Sequence, residues 1–406
     1  MGLQGGSGFS HFDITIIGGG VIGLSIGNAI LEDNPSLRVA IVEKEETLGQ
    51  HASGRNSGVM HAGFYYSPDS LKARFCKEGN AELKKLAKKH NVPVRQIGKV
   101  VVVRTELENQ RLGELFHRGV KNGIDIELLD SKCLKVFEPL AVTFERFIWS
   151  PTTAVSDPIA ILNAMKAEFE LRGGRIMTGY KVNLKKHNSE LIDASGTFVA
   201  KQYINAAGAQ SDRIARNIGV GLDYAMVPFM GVYRVTSQSN LPLRTLVYPV
   251  PHPINPFLGV HFTLTTDGKI KIGPTAIPTI GREQYSLTNG WSLPDLHQTI
   301  VGASSLIKGQ AHSIKDMIKS EMPKLFESVI VKESQQLVPL AGTVKKWSKK
   351  PPGIRAQLVH IPTGKLEQDF KVVKFLNSVQ ILNAVSPGWT CSVPFGRYVA
   401  EFCRAS

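Results

Sequence analysis

Long apolar runs are missing from this 406-residue sequence. Its apolar segments, such as residues 14–17 and 100–103, are far shorter than the roughly 20 residues that a membrane-spanning helix needs. Residues 1–11 also lack the basic start and apolar stretch of a secretory signal, and they are too glycine-rich for a transit peptide. We therefore expect no bilayer-spanning segment and interpret the N-terminus as a disordered leader.

Cysteine is scarce, and its four positions share no C-x-x-C spacing. Cys76, Cys133, Cys391 and Cys403 therefore indicate neither a disulfide framework nor a zinc site. We predict no metal site, and unpaired thiols are typical of a reducing cytoplasm.

Acidic residues are too few to balance the basic ones, since 34 against 48 give a net charge of +14. Part of the excess lies in runs at residues 84–89, 345–346 and 349–350. A basic surface suits nucleic acid, anionic lipid or an anionic substrate, although a solvated helix face is the simpler explanation for any one run. No basic patch is interleaved with aromatic residues, so we expect no nucleic-acid partner.

The first 43 residues contain a strand–turn–helix–strand pattern. Residues 12–17 form a short β-branched apolar run, three glycines follow, and residues 21–26 have helical character. A second apolar run at residues 38–43 ends in a carboxylate. The spacing predicts one βαβ unit.

The turn of this unit contains the pattern Gly18-x-Gly20-x-x-Gly23. The first glycine makes the turn, the second lets the backbone approach a pyrophosphate, and the third lets helix and strand pack closely. Glu43 follows at the distance where the pattern places an acid for a ribose hydroxyl. The predicted dinucleotide contacts are Gly18, Gly20, Val21, Ile22, Gly23, Glu43 and Lys44. Flavin is favoured over nicotinamide because the pattern does not recur, and a glycine turn that serves packing alone is the alternative.

Helices and strands alternate beyond residue 43. Helices are predicted for residues 69–90, for 158–173 after Asp157, for 293–328 with breaks, and after Ser386-Pro387-Gly388. Strands are predicted for residues 94–103, 175–186, 190–194, 198–205, 354–360 and 379–383. Residues 226–285, rich in proline, aromatics and alternating β-branched positions, predict a mostly antiparallel sheet.

Several motifs resemble known flavoenzymes. Those shared with FAD-dependent oxidoreductases of the D-amino-acid-oxidase type are Gly18 to Gly23, Glu43, residues 54–63 (GRNSGVMHAG) and residues 205–208 (NAAG). Those that more narrowly resemble the L-2-hydroxyglutarate dehydrogenase/oxidase family are Asn56-Ser57-Gly58-x-x-His61-x-Gly63-x-Tyr65-Tyr66, Val227-Pro228-Phe229-x-Gly231, residues 257–262 (FLGVHF), residues 272–274 (IGP) and residues 352–357 (PGIRAQ). One departure is residues 386–390 (SPGWT), where some members of the family carry Ser-Pro-Ala-Ala-Thr, and it leaves the exact substrate open.

This resemblance covers residues 12 to 403 and implies a fold of the α/β class, α+β overall. It implies a Rossmann-like FAD-binding domain with an inserted, mostly antiparallel β-sheet substrate domain flanked by helices. The FAD-binding domain would comprise residues 11–95, 150–225 and 352–406, and the substrate-binding domain residues 96–149 and 226–351. The implied reaction oxidises L-2-hydroxyglutarate to 2-oxoglutarate by hydride transfer to flavin N5, with electrons passed on to quinone or another acceptor.

The resemblance also implies further cofactor contacts. They are Arg55, Asn56, Ser57, Gly58, Ala207, Gly208, Pro387, Gly388, Trp389 and Thr390. The N-terminus of the last helix would stabilise negative charge on the reduced flavin, although Thr390 could instead be a simple N-cap.

Oxidation of a 2-hydroxy acid requires a base for the hydroxyl proton. His61 and His261 are the candidate bases because an imidazole titrates near neutrality. His61 is favoured since it lies in the flavin-facing stretch, and His261 could be the base or orient the substrate. A covalent flavin bond through His61 and purely structural imidazoles stay open, while His51 is expected to be peripheral.

A dicarboxylate substrate also needs positive groups and hydrogen-bond donors. Arg355 follows a proline–glycine turn, where its guanidinium can present a planar fork to a carboxylate, with a structural ion pair as the alternative. Tyr65, Tyr66 and Tyr233 are predicted to contact the second carboxylate, with amphipathic packing as the alternative for each. The predicted catalytic set is thus His61, His261 and Arg355.

Two other functions stay open at this point. A flavin amine oxidase of the glycine/sarcosine oxidase type shares the glycine pattern, and a flavin-bound module without turnover would use the basic surface. The expected partners are a small 2-hydroxy dicarboxylate and a quinone, with oxygen as the alternative acceptor. We expect a cytoplasmic protein, and peripheral contact of its basic surface with the inner face of the membrane is an open alternative.

Overall fold

A computed structural model describes residues 10–196, 198–251, 259–286, 289–290 and 292–404. Of the predicted leader, residues 1–9 lie outside the described residues, as does the Phe257-Leu258 part of one motif, whereas Ser10 and His11 belong to the first strand. The helices in the described part are α1 (Val21–Asp33), α2 (Leu71–Lys89), α3 (Glu106–Lys121), α4 (Leu134–Phe137), α5 (Pro158–Leu171), α6 (Ser211–Asn217), α7 (Leu293–Glu321), α8 (Glu327–Gln335) and α9 (Gly388–Arg404).

The strands belong to four sheets. They are β1 (Ser10–Ile17), β2 (Val39–Val42), β3 (Val59–Met60), β4 (Val94–Arg95), β5 (Lys99–Val102), β6 (Glu127–Asp130), β7 (Arg146–Ser150), β8 (Ala154–Ser156), β9 (Arg175–Met177), β10 (Leu184–His187), β11 (Glu190–Asp193), β12 (Phe198–Asn205), β13 (Tyr224–Ser237), β14 (Leu246–Pro249), β15 (His261–Leu264), β16 (Lys269–Gly273), β17 (Ile277–Pro278), β18 (Ser348–His360), β19 (Lys365–Leu366), β20 (Lys371–Phe375) and β21 (Ser378–Asn383).

The first large sheet combines strands from distant parts of the chain in the order β20-β21-β12-β1-β2-β9. β1 lies parallel to β12 on one side and to β2 on the other, so β1, α1 and β2 form the predicted βαβ unit. β2 is buried at every position, as expected for a parallel strand covered on both faces. α1 packs against α5 and α9, and their apolar side chains share one core cluster with β1 and β21.

The second large sheet has the order β19-β18-β13-β16-β15-β14-β5-β7-β6, with β17 beside β13. Its neighbours run antiparallel except for β14 and β5, which are parallel. The long strands β13 and β18 pair from residue 224 to residue 235 with one register shift. The predicted antiparallel sheet, and with it the fold class, is confirmed.

The proposed division into two domains stays a prediction. The first large sheet draws on residues 10–42, 175–205 and 371–383, and the second on residues 99–150, 224–278 and 348–366. β18 crosses the expected boundary at residue 352, because it remains paired with β13 on both sides of it.

The stretch of residues 51–66 belongs to the connection between β2 of the first large sheet and β5 of the second. β3 lies inside it and pairs with β8 in a small sheet that also contains β4. The Thr390 hydroxyl at the start of α9 donates to the Val59 carbonyl oxygen at 3.1 Å and accepts from the His61 N–H at 3.3 Å. The Asn80 amide of α2 donates to the Met60 carbonyl oxygen at 2.8 Å. Two helices therefore fix the path of this stretch.

Within the described residues, none of the helices combines the length and the apolar character needed to cross a membrane.

Candidate active site

The glycine pattern forms a tight turn between β1 and α1. Gly18 has φ of +109°, and a Cβ atom there would lie 2.6 Å from the Ala206 carbonyl oxygen. A Cβ atom on Gly23 would lie 2.0 Å from the Gly18 carbonyl oxygen. Both positions exclude a side chain, because the obstructing atoms belong to the backbone.

The N-terminus of α1 opens onto a cavity. Gly20 precedes the helix without a side-chain cap, and the Val21 N–H donates to the Ser53 hydroxyl at 3.1 Å. No acidic side chain lies in the first turn. The remaining N–H groups and the helix dipole therefore favour a phosphate at this position.

The Glu43 carboxylate borders the same cavity at the end of β2. It accepts from the Gly19 N–H at 2.9 Å and from the Glu45 N–H at 3.0 Å, so backbone donors hold it in place. Lys44 contacts Glu45 and lies 3.0 Å from a Glu283 oxygen. The Lys44 ammonium therefore forms ion pairs with two carboxylates, those of Glu45 and Glu283.

This first cavity has a volume of about 630 Å³ and is bordered by the carboxyl ends of β1, β2 and β12. The predicted cofactor residues that line it are Gly18, Gly20, Val21, Ile22, Glu43, Lys44, Arg55, Asn56, Ser57, Ala207, Gly208, Pro387, Gly388, Trp389 and Thr390. Gly23 and Gly58 do not line it. Gly58 has φ of +78°, and a Cβ atom there would lie 2.3 Å from the Ser156 carbonyl oxygen, so its role is in the turn.

A second cavity of about 540 Å³ adjoins the first. The residues that line both are Ser57, His61, Tyr233, Pro274, Arg355 and Ser386. Tyr65, Tyr66 and His261 line only the second cavity. The structure therefore gathers the predicted bases and substrate contacts around one space beside the predicted cofactor contacts.

His61 lies where the two cavities meet. The residue is 8% exposed, and its Nδ1 has no hydrogen-bond partner among the described residues. Burial, together with the nearby Lys99 and His261, holds the pKa of His61 well below its usual 6.5. The imidazole is therefore neutral at pH 7 and able to accept a proton.

His261 is a neutral imidazole of defined tautomer. Its Nδ1 lies 2.9 Å from the Gly259 carbonyl oxygen, which can only accept, so Nδ1 carries the hydrogen and Nε2 is the acceptor. Burial, opposed by the Gly259 hydrogen bond and reinforced by the charges of Arg355 and Lys99, lowers the pKa of His261 to about 3. The ring stacks on Tyr248 in the wall of the second cavity.

Arg355 projects from β18 where both cavities meet. Its guanidinium hydrogen-bonds to the Tyr233 hydroxyl, and Nη1 donates to the Thr275 carbonyl oxygen at 3.5 Å. Burial raises the pKa of Tyr233, so this phenol remains protonated in the physiological range. The pair offers a cation and a hydroxyl to an anionic ligand.

Residues 13–401 match the family described as FAD dependent oxidoreductase. The chain belongs to this family. It is therefore an enzyme, and its cofactor is FAD.

Among FAD dependent oxidoreductases, the chain is similar to proteins named L-2-hydroxyglutarate dehydrogenase. It is 33% identical over 397 residues to one from Escherichia coli strain UMN026, covering 96% of this chain and 92% of the relative. It is 35% identical over 411 residues to the mitochondrial one of Caenorhabditis briggsae, again covering 96% and 92%. The L-alpha-glycerophosphate oxidase of Mycoplasma pneumoniae, solved in a dithionite-reduced form with FAD bound, shares the fold with a TM-score of 0.77, 22% identity and coverage of 98% and 96%. The resemblance inferred from the motifs is confirmed.

The first cavity fits the cofactor of an FAD dependent oxidoreductase. The Gly18–Gly23 turn has no room for side chains, and the N-terminus of α1 offers donors for the pyrophosphate. Glu43 would hold a ribose hydroxyl, and residues 55–57 and 387–390 would hold the flavin.

One wall of the second cavity was not predicted from the sequence. It comes from α3, and its lining residues are Leu107, Gln110, Arg111, Glu114, Leu115 and Arg118. Their spacing of three and four residues places them on one helix face, and this spacing is a signal that the sequence does contain. The missed face contributes two guanidinium groups, those of Arg111 and Arg118, and one carboxylate, that of Glu114.

His51 was expected to be peripheral, and its role stays a prediction. His51 lines the first cavity, with Nδ1 2.6 Å from the Tyr285 hydroxyl and Nε2 2.9 Å from a Glu45 oxygen.

Three side chains beside this cavity could in principle bind a metal ion. The potential ligand atoms of Glu45, His51 and Glu283 lie within 4.8 Å of one another. Lys44 contacts both carboxylates, so one ammonium already offsets part of their charge.

Proposed function

We propose that this enzyme oxidises L-2-hydroxyglutarate to 2-oxoglutarate. The observation that carries the proposal is the meeting of a cofactor cavity and a second cavity at a neutral imidazole, His61, and a guanidinium, Arg355. A base and a carboxylate clamp are the two protein groups that oxidation of a 2-hydroxy acid requires. The names of the relatives supply the identity of the substrate.

The hydroxyl proton of the substrate passes to an imidazole. His61 is the proposed base, because it borders both cavities and its Nδ1 has no partner among the described residues. His261 orients the substrate hydroxyl through its Nε2 acceptor, or takes the proton itself. The residues that line the first cavity would hold FAD, which would supply a hydride acceptor at flavin N5 for the hydrogen of the substrate carbon.

Arg355 and Tyr233 bind the carboxylate next to the reacting carbon. Both border the two cavities, so a carboxylate held there keeps the neighbouring carbon close to the cofactor side. The guanidinium supplies charge-assisted donors, and the Tyr233 hydroxyl is already aligned with it.

The second carboxylate is bound at the opposite wall. Arg111 and Arg118 of α3 line that wall, and the Arg118 Nη1 donates to the Tyr65 carbonyl oxygen at 3.0 Å. Tyr65 and Tyr66 contribute aromatic rings to the lining of the same cavity. A dicarboxylate would thus have a cation at each end, which suits the positive net charge of the chain.

Electrons leave the enzyme for quinone or another acceptor. A basic surface supports contact with anionic lipid, at about 1 kcal/mol for each Lys or Arg near the membrane. A cytoplasmic protein at the inner face of the membrane would then reach a quinone pool. Reduction of a soluble quinone analogue no faster than reduction of oxygen would make the enzyme an oxidase.

The decisive experiment is anaerobic mixing of the FAD-loaded enzyme with L- and D-2-hydroxyglutarate, glycine and sarcosine in separate runs, while flavin absorbance is followed. Bleaching by L-2-hydroxyglutarate alone is the expected result. Bleaching by the amines alone would replace the proposal with an amine oxidase. A flavin that none of the four compounds reduces would also contradict it.

A further inference from the structure

Lys99 is a buried amine surrounded by aromatic rings. It is the first residue of β5 and 0% exposed, and its Nζ has no hydrogen-bond partner among the described residues. Three aromatic rings surround the Nζ instead, with centroids 4.5 Å (Phe64), 4.4 Å (Tyr65) and 4.8 Å (Tyr248) away. Ring faces attract a cation, so the cage offsets part of the cost of burying this charge.

The cage forms part of the second cavity. Tyr65 and Tyr248 line that cavity, whereas Lys99 lies behind them and does not. The Tyr248 ring also stacks on the His261 imidazole. A charge on Lys99 therefore faces the cavity through one layer of aromatic rings, where the field of a charge is weakly screened.

We propose that Lys99 is a positioning residue that holds Tyr65 and Tyr248 in place and presents, from behind them, a positive charge that favours an anionic ligand in the second cavity. The inference rests on the proposed function, since that function places a dicarboxylate in this cavity. The positive charge would come from Lys99, a residue that does not contact the ligand.

The Lys99 charge changes within the physiological range. Burial lowers the pKa of Lys99 to about 7, partly opposed by the nearby Cys76. Because protonated lysine carries the charge, Lys99 is positive below pH 7 and neutral above it. Ligand binding is therefore expected to weaken as the pH rises through 7.

Two tyrosines and two histidines close to Lys99 keep a constant charge around pH 7. Burial raises the pKa values of Tyr65 and Tyr248, so both remain protonated. Burial holds the pKa values of His61 and His261 below their usual range, so both remain neutral, and the Arg355 guanidinium remains charged. Of Lys99, Tyr65, Tyr248, His61 and His261, Lys99 is therefore the group expected to titrate near pH 7.

Lys72 is another buried lysine, and unlike Lys99 it lines the second cavity, so it needs its own control. Burial lowers the pKa of Lys72, while Asp369, Cys391 and Glu367 oppose the shift. Lys72→Met therefore removes a neighbouring amine from the same cavity and leaves the aromatic cage intact.

The test measures binding of glutarate, a dicarboxylate without a hydroxyl group to oxidise, to the oxidised FAD-loaded enzyme. Dissociation constants from flavin absorbance changes are compared between pH 6 and pH 8.5 for wild type, Lys99→Met, Lys99→Arg and Lys72→Met. Thermal denaturation of each variant shows that it is folded. If Lys99→Met does not fold, Lys99→Gln is the second neutral variant, and the Lys99→Arg comparison still applies.

In wild type the glutarate dissociation constant should rise by on the order of tenfold between pH 6 and pH 8.5. Lys99→Met should bind weakly at both pH values, whereas Lys99→Arg, which stays charged, should bind tightly at both. Lys72→Met should retain the wild-type slope. A flat wild-type profile, or a slope that survives in Lys99→Met, would overturn the role of Lys99. Failure of wild type to bind glutarate at pH 6 would instead count against the dicarboxylate substrate.

Discussion

The imidazole of His261 lies against the phenol ring of Tyr248, with centroids 3.8 Å apart and planes inclined by 23°. The stacking fixes the ring plane, and the Gly259 carbonyl oxygen fixes the tautomer. The Nε2 acceptor of His261 is therefore set before any substrate arrives. His61 has no such restraint on its Nδ1 among the described residues.

This contrast predicts different effects for the two imidazoles. His61→Ala should retain FAD and lower the rate constant of flavin reduction about 10²- to 10⁴-fold, as expected for loss of a general base. His261→Ala should mainly weaken substrate binding, because it removes an orienting acceptor. Stopped-flow reduction at saturating substrate separates the two effects. Near-normal reduction in His61→Ala would assign the base to His261.

Arg355→Lys should raise the substrate dissociation constant by about 10- to 100-fold, because one ammonium cannot reproduce the guanidinium fork beside Tyr233. Arg38→Lys is the control, since the Arg38 side chain is 63% exposed and remote from both cavities. Steady-state and rapid kinetics would check the prediction. An unchanged dissociation constant would leave Arg355 with a structural role only.

The α3 arginines should determine the preference for a dicarboxylate. Arg111→Gln and Arg118→Gln should each reduce kcat/KM for L-2-hydroxyglutarate about tenfold, as expected for one charge-assisted contact. They should leave L-2-hydroxybutyrate, which lacks the second carboxylate, nearly unaffected. Arg74→Gln on the exposed face of α2 is the matched control. Equal losses on both substrates would place the second carboxylate elsewhere.

The rate of flavin reduction at saturating substrate should be constant from about pH 6.5 to pH 8, because the lowered pKa values of His61 and His261 keep both imidazoles neutral above the usual 6.5. Stability should behave differently. In the unfolded chain both imidazoles take up protons below about pH 6.5, while in the fold they stay neutral, so the fold loses stability as the pH falls below 6.5. Urea unfolding at pH 7 and pH 5 would detect this. His261→Gln should lessen the loss, and an equal loss in that variant would contradict the lowered pKa.

Two glycines form a matched pair for testing the turn. Gly23→Ala should destabilise the fold by several kcal/mol and weaken FAD binding, because its Cβ would overlap the Gly18 carbonyl oxygen. Gly113 lies in α3 with nothing within 4 Å of an added Cβ, so Gly113→Ala should stabilise by about 0.5–1 kcal/mol. Thermal unfolding and flavin retention would check both. Equal behaviour of the two variants would contradict the close packing of β1 and α1.

Local patterns in the sequence predicted the βαβ unit and its glycine turn. Gly18, Gly23 and Glu43 lie within one short segment, and their roles follow from the backbone geometry that the segment requires. The α2 and α5 helices were predictable for the same reason, since apolar periodicity and the Asp157 cap are local features.

Sheet order could not be predicted in this way. Lys99 meets Tyr248 because β5 runs parallel to β14, and Tyr65 reaches the same place from the connecting stretch. Arg355 and Tyr233 meet because β18 pairs with β13. Only the family resemblance singled out Arg355, His261 and Tyr65, and it gave no indication of Lys99.

The contact of Thr390 with Val59 and His61 has a consequence for biosynthesis. The hydroxyl that fixes the path of the connecting stretch is made 329 residues after His61. A nascent chain can form its first strand and helix early. The hydrogen bond between the His61 N–H and the Thr390 hydroxyl cannot form until the start of α9 has emerged from the ribosome. The start of α9 also lines the first cavity, so the wall around the cofactor is complete only after α9 has been translated.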